Sequence, residues 1–67
     1  VANLIEAIQS ECNRLREVVL PEYDKIPTGV FAATLMRESI KKAEAAVASG
    51  EVVEMVKALD DVKSWNL

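Results

Sequence analysis

Histidine is absent from these 67 residues, and cysteine occurs once, at Cys12. The first absence removes the commonest zinc ligand and the commonest general base. The second excludes an internal disulfide, and a lone thiol fits a reducing compartment. Aromatics are confined to Tyr23, Phe31 and Trp65. No apolar run approaches the roughly 20 residues that cross a bilayer. Glu6 and Glu11 interrupt the first segment, which therefore does not read as a signal peptide. The chain opens at Val1 and not at Met, as a processed or trimmed chain would. A cytoplasmic setting without membrane contact is expected.

What is present is helix-forming core material. Hydrophobic residues make up 51% of the chain, rich in Ala, Val, Ile and Leu. A chain this short buries only about 60% of the surface its unfolded form exposes. Without a disulfide or an evident metal site, stability must come from tight helix packing or from a partner chain. Eleven acidic and eight basic residues give a net charge of −3. That balance disfavours nucleic acid unless basic residues gather on one face.

Residues 3–19 carry a helical period, with Leu4, Ile5, Ile8, Cys12, Leu15 and Val19 on one face. Asn3 is placed to cap this helix, and Glu6 to complete a capping box. Arg14 and Glu17, on the outer side, are spaced for a weak surface pair. Pro21 removes a backbone donor and crowds the preceding turn. The apolar phase nevertheless continues through Val19, Tyr23 and Ile26, so the expectation is a kinked helix ending near Lys25.

Ile26-Pro27-Thr28-Gly29 is the clearest punctuation in the chain. Pro27 bars helix at Ile26, and Thr28 is positioned to cap the next helix. That second helix is expected over residues 29–48. Met36, Ile40, Ala43 and Val47 form its stripe, widened by Phe31 and Leu35. Glu38 and Lys42 are ordered for an outer i,i+4 pair. Gly50 can adopt the left-handed conformation that closes this helix. A third helix comes next, over residues 51–64, with Val52, Met55, Val56, Leu59 and Val62 buried and Glu54 and Lys57 outward. So short a connection makes the last two helices antiparallel neighbours. Trp65 and Leu67 close the chain, and Trp65 is expected to fold over one end of the bundle.

Candidate chemistry is sparse. Cys12 sits on the apolar face, where a free cysteine behaves as a small hydrophobe. Glu22 with Asp24, Glu51 with Glu54, and Asp60 with Asp61 are adjacent carboxylates that read as solvated faces. Arg37, Lys41 and Lys42 form the only basic cluster, diluted by Glu38 and Glu44. A helix-turn-helix reading fails because the recognition helix would meet DNA with net negative charge. No catalytic, cofactor-binding or metal residue is expected. Tyr23, Phe31, Leu35, Met36 and Trp65 are core candidates first; any of them exposed together would mark an interface.

Ile26-Pro27-Thr28-Gly29-Val30-Phe31, with Ala43-Glu44-Ala45-Ala46-Val47-Ala48-Ser49-Gly50-Glu51-Val52-Val53-Glu54-Met55 further along, resembles a pattern in small uncharacterised phage and prophage proteins. The resemblance implies a bacterial or phage cytoplasmic setting. It carries over no functional residue.

The expectation is a single all-α domain over residues 1–67: a three-helix up-down-up bundle with a C-terminal antiparallel hairpin and a kinked first helix. Its broad apolar surface and small core point to a non-enzymatic protein-interaction module that self-associates or docks on a protein partner. The alternative is a small acidic regulator or inhibitor whose negative faces fill the basic groove of a nucleic-acid-binding protein.

Overall fold

In the computed structural model, which describes residues 2–66, the chain is all-helical and three helical rods pack together. No strand occurs among the described residues. The bundle is elongated, with principal extents of 38 × 16 × 16 Å. Val1 lies outside the described residues, as does Leu67, expected to close the chain beside Trp65.

The first rod runs past Pro21. Helix α1 spans Ala2–Arg14, a π-helical segment continues it over Leu15–Val19, and α2 covers Leu20–Asp24. The π segment sits directly ahead of Pro21. Its wider turn directs the Leu20 N–H to the Leu15 carbonyl, five residues back. A single widened turn is a common way to absorb a break in the i to i−4 ladder. The apolar phase survives it: Ile8, Cys12, Leu15, Val19 and Leu20 are all buried. Asn3 lies inside the helix and not ahead of it, so it is not the expected cap.

The corner after α2 also differs from expectation. Ile26 is extended and exposed, outside the apolar stripe it was expected to continue. Pro27–Gly29 forms a 3-10 turn that leads straight into α3, Val30–Ser49. Because Thr28 is inside that turn, it makes no capping bond. Gly29 is buried, and a Cβ there would collide with the Tyr23 carbonyl oxygen. That close approach of backbones is what glycine permits here.

Helix α3 ends at Gly50, whose φ of 72° is left-handed. The Gly50 N–H donates to the carbonyls of Ala46 and Val47 at 3.2 Å, satisfying the last turn. The Ser49 hydroxyl donates to the Ala46 carbonyl and accepts the Glu51 N–H. Helix α4, Val52–Lys63, begins one residue later.

The core collects from all three rods. Ile8, Cys12, Leu15 and Val19 meet Ala33, Met36, Ile40, Ala43 and Ala46 from α3 and Met55 and Val62 from α4. Leu59 and Ala58 are half-buried beside them. Val52 and Val56, expected in this stripe, are about half exposed, while Glu54 and Lys57 face water as expected. The buried face of α4 is thus narrower than its apolar composition implies.

Candidate interaction surface

The geometry of the surface stems from unequal helix lengths. At about 1.5 Å per residue, the 20 residues of α3 span about 30 Å and the 12 of α4 about 18 Å. Helix α4 lies against the C-terminal half of α3, beside Lys42 and Ala46. Beyond Lys63 the chain leaves the helix, and the Trp65 indole N–H donates to the Ser39 hydroxyl at 3.1 Å. The N-terminal turns of α3 extend past this point and pack against α2.

On that extension the large apolar side chains are uncovered. Phe31 is 75% exposed, Val30 60% and Leu35 44%, with Ile26 beside them in the corner. Phe31 and Leu35 are four residues apart and share one stripe of the helix. They were expected to widen the buried arc; they face water instead, on a stripe of α3 that continues through Glu38, Lys42 and Ala45, all exposed. Next to Phe31 lies an open hollow of about 560 Å³, lined by Glu22, Tyr23, Ile26, Thr28, Gly29 and Ala32. Gly29, whose backbone lies close to that of Tyr23, is part of this lining.

The five residues expected to mark an interface therefore divide. Phe31 and Leu35 are exposed together, next to the hollow. Tyr23 is half-buried on the hollow's wall, and its hydroxyl donates to the Asn66 carbonyl at 3.0 Å. Trp65 is half-buried against the core, at the middle of α3. Met36 is fully buried and offers nothing to a partner of the folded chain. Its position in the stripe with Ile40 and Ala43 already placed it in the core.

Two ion pairs involve α2 and the residues next to it. Lys25 meets Glu22 at 3.4 Å, and Arg37 meets Asp24 at 2.8 Å. Each pair carries one charge of each sign. Arg37 is thereby drawn out of the basic cluster with Lys41 and Lys42. Among the described residues no ion pair joins Glu38 to Lys42, although their spacing suited one.

A residue that sequence reasoning placed on the outer surface proves to be structural. Arg14 is half-buried and donates to the carbonyls of Val62 and Trp65, at 3.3 and 2.8 Å. Glu11 holds its guanidinium at 3.2 Å; Glu17, the expected partner, does not. A cation there satisfies the Val62 carbonyl, one of the last that α4 leaves open, and the Trp65 carbonyl just beyond the helix. The only signal for this in the sequence is an arginine flanking a buried stripe, which is too common to be diagnostic. Arg16 reaches across to Glu44 on α3 and ties the first rod to it.

Cys12 is buried between Ile8 and Leu15. Burial pushes its thiol above the ordinary value of 9.0; Arg16 opposes this, and Glu44 and Glu11 add to it. A shallow hollow of about 410 Å³ lies beside it, lined by Ile8, Gln9, Asn13, Arg16, Glu44 and Val47. The thiol is protonated at neutral pH and is a packing group there. The carboxylates of Glu22, Asp24, Glu51, Glu54, Asp60 and Asp61 are all exposed. Among the described residues, no three His, Cys, Asp or Glu side chains gather in a way that could hold a metal ion. No described helix is long and apolar enough to cross a membrane.

Val52, Val53 and Val56 form a second exposed apolar set, at the start of α4. Against this geometry, comparison with known proteins adds no relative: no family model matches the chain, and neither a curated protein nor a solved structure is similar to it.

Proposed function

We propose that this chain is a non-enzymatic protein-interaction module that associates with copies of itself, in a bacterial or phage cytoplasmic setting. The observation that carries the reading is the exposure of three large apolar side chains, Val30, Phe31 and Leu35, in the first turns of α3. Contiguous apolar surface on a small domain marks an interaction site more often than it marks idle surface. Aromatic side chains such as Phe31 supply the largest apolar payload at such sites.

The reading includes an architecture: an up-down-up bundle with a kinked first rod and with α3 and α4 as an antiparallel hairpin. Its support is a set of cross-contacts. Arg16 pairs with Glu44 and Asp24 with Arg37, so rising numbers in the first rod meet falling numbers in α3. Trp65 meets Ser39, while Lys42 and Ala46 border Ala58 and Asp61. The non-enzymatic part rests on Cys12, which burial keeps protonated, and on carboxylates that face water.

Sedimentation equilibrium at micromolar concentration tests self-association. The reading expects a mass above that of one chain and a melting temperature that rises with concentration. A clean monomer with a concentration-independent melt overturns it. The acidic-inhibitor alternative has weaker support, because Lys57 and Lys63 interrupt the acidic face of α4. A salt-dependent pull-down with a basic nucleic-acid-binding protein would show retention at low salt only if that alternative held.

A further inference from the structure

We infer that residues 64–66, just after α4, are a strap whose closure is coupled to the widened turn of the first rod. In the closed state the turn is π-helical and the strap is tied down. In the open state the turn is an ordinary helical one and the strap is free.

Side chains from three elements tie the strap. Arg14, at the end of α1, donates to the Val62 and Trp65 carbonyls at 3.3 and 2.8 Å. The Tyr23 hydroxyl, on α2, donates to the Asn66 carbonyl at 3.0 Å. The Trp65 indole N–H donates to the Ser39 hydroxyl of α3 at 3.1 Å. Past the bond from the Ser64 N–H to the Asp61 carbonyl, no backbone-to-backbone bond holds the strap among the described residues. A segment held in this way can open locally while the bundle stays folded. Ser39 is the only buried polar residue among the described residues, on the same helix as buried Met36, Ile40 and Ala43. An apolar side chain would serve the core there; a hydroxyl also gives the indole N–H an acceptor.

Phase links the strap to the turn. Arg14 and Tyr23 are nine residues apart, and in an uninterrupted α-helix they would point about 180° apart. From opposite faces they would not converge on the neighbouring carbonyls of Trp65 and Asn66. The widened turn closes five residues back, from the Leu20 N–H to the Leu15 carbonyl, and so takes up one residue more than an ordinary turn. Beyond it the rod keeps the phase of a helix one residue shorter, which brings Tyr23 to about 80° from Arg14. The same shift accounts for Leu15 and Leu20, which are both buried although an ordinary helix would set them about 140° apart. Return to an ordinary turn swings Tyr23 by about 100° and takes its hydroxyl off the strap.

Pro21 sets the balance. It lacks an N–H and crowds an ordinary turn, so it favours the widened form and with it the closed strap. Coupling is reciprocal, so loosening either part loosens the other. Tyr23 also lines the hollow of about 560 Å³ beside Ile26, so the state of the strap sets the shape of that hollow.

The test follows exchange of the indole N–H of Trp65, the only tryptophan, by NMR in the full chain. The Ala43 amide, in the middle of α3, reports opening of the whole bundle. Pro21→Ala permits the ordinary turn without touching the strap. Tyr23→Phe keeps the ring and removes the hydroxyl that joins turn to strap. Each should speed indole exchange by at least about fivefold, the lower end of ordinary coupling, relative to any change at Ala43. The double variant should be no faster than Tyr23→Phe alone, because the link is already cut. Indole exchange unchanged in Pro21→Ala overturns the coupling. So does a double variant in which the two effects multiply, or indole exchange that merely keeps pace with Ala43.

Discussion

The two ends of this molecule are built from the same kinds of residue and meet opposite fates. At one end, α1, the C-terminal half of α3 and α4 enclose Ile8, Cys12, Ala43, Ala46, Met55 and Val62, all buried. At the other, α2 and the first turns of α3 have no third helix beside them, and Phe31, Val30 and Leu35 face water. The difference lies in how many rods meet and in which way the side chains point: Phe31 and Leu35 share the stripe of Glu38, Lys42 and Ala45, which faces water beside α4 as well. A helix eight residues shorter than its neighbour, 12 against 20, leaves part of that neighbour bare. Where a third rod is present, the apolar side chains turned between the rods make the core, while Val52, Val53 and Val56 of that rod still face water. Where it is missing, they make a surface available to something else.

Substitutions that empty the covered end should do the most damage. A domain of this size is stabilised by roughly 3–10 kcal/mol in total. Leu15 is fully buried, and Leu15→Ala should remove about 2–5 kcal/mol. Thermal denaturation should then show a melting temperature lower by ten degrees or more, or no folded baseline at all. A drop of only a degree or two would mean that the covered end is not the stabilising one.

Arg14→Met comes next. It keeps the apolar stem but removes the bonds to the Val62 and Trp65 carbonyls. About 1–2 kcal/mol should be lost in urea titration, the range for a charge-assisted hydrogen bond in a half-exposed setting. Trp65 fluorescence should shift to the red as the tail loosens. Unchanged stability and fluorescence together would remove Arg14 from any structural role.

Pro21→Ala probes the π segment between the two ends. A proline inside an ordinary helix is roughly 3 kcal/mol worse than alanine. Since the widened turn at Leu15–Val19 absorbs the conflict, the gain on substitution should fall well short of that. A gain near the full amount would show that the segment relieves nothing.

Much of this was legible in the residues. Gly50 announced the end of α3, and the continuing phase at Val19 and Tyr23 announced that Pro21 does not stop the first rod. The stripe of Met36, Ile40, Ala43 and Val47 faces inward. The parts that were not legible depend on contacts distant in sequence. Phe31 and Leu35 have helical spacing suited to a core or to a bare face; they fall in phase with the outward Glu38 and Lys42 and are exposed with them. Val52 and Val56 are in phase with Met55 yet half exposed, because phase gives direction and not the width of the neighbour. Arg14 finds its acceptors 48 and 51 residues away, a distance no local pattern records. Thr28 failed as a cap because Pro27 and Gly29 draw it into a 3-10 turn.

Smaller effects belong to the uncovered end and to the thiol. Phe31→Ser should leave the stability of the dilute chain within about 0.5 kcal/mol, as for a surface site. A loss of several kcal/mol would place Phe31 in the core. Burial raises the Cys12 pKa, so the folded chain keeps a proton that the unfolded chain releases first. That contribution is full below the unfolded value and is lost as pH rises through the folded one. Cys12→Ala should therefore flatten the decline in stability on the alkaline side of pH 9.0, and leave its slope at neutral pH unchanged.

The difference between the two ends is tested most directly by amide hydrogen exchange at low and high protein concentration. Residues 26–35 should gain protection as concentration rises, while residues 52–56 keep the same rates. Protection gained at 52–56 with none at 26–35 would contradict the account, because the apolar surface left bare by the short third helix would then not be the one that finds a partner.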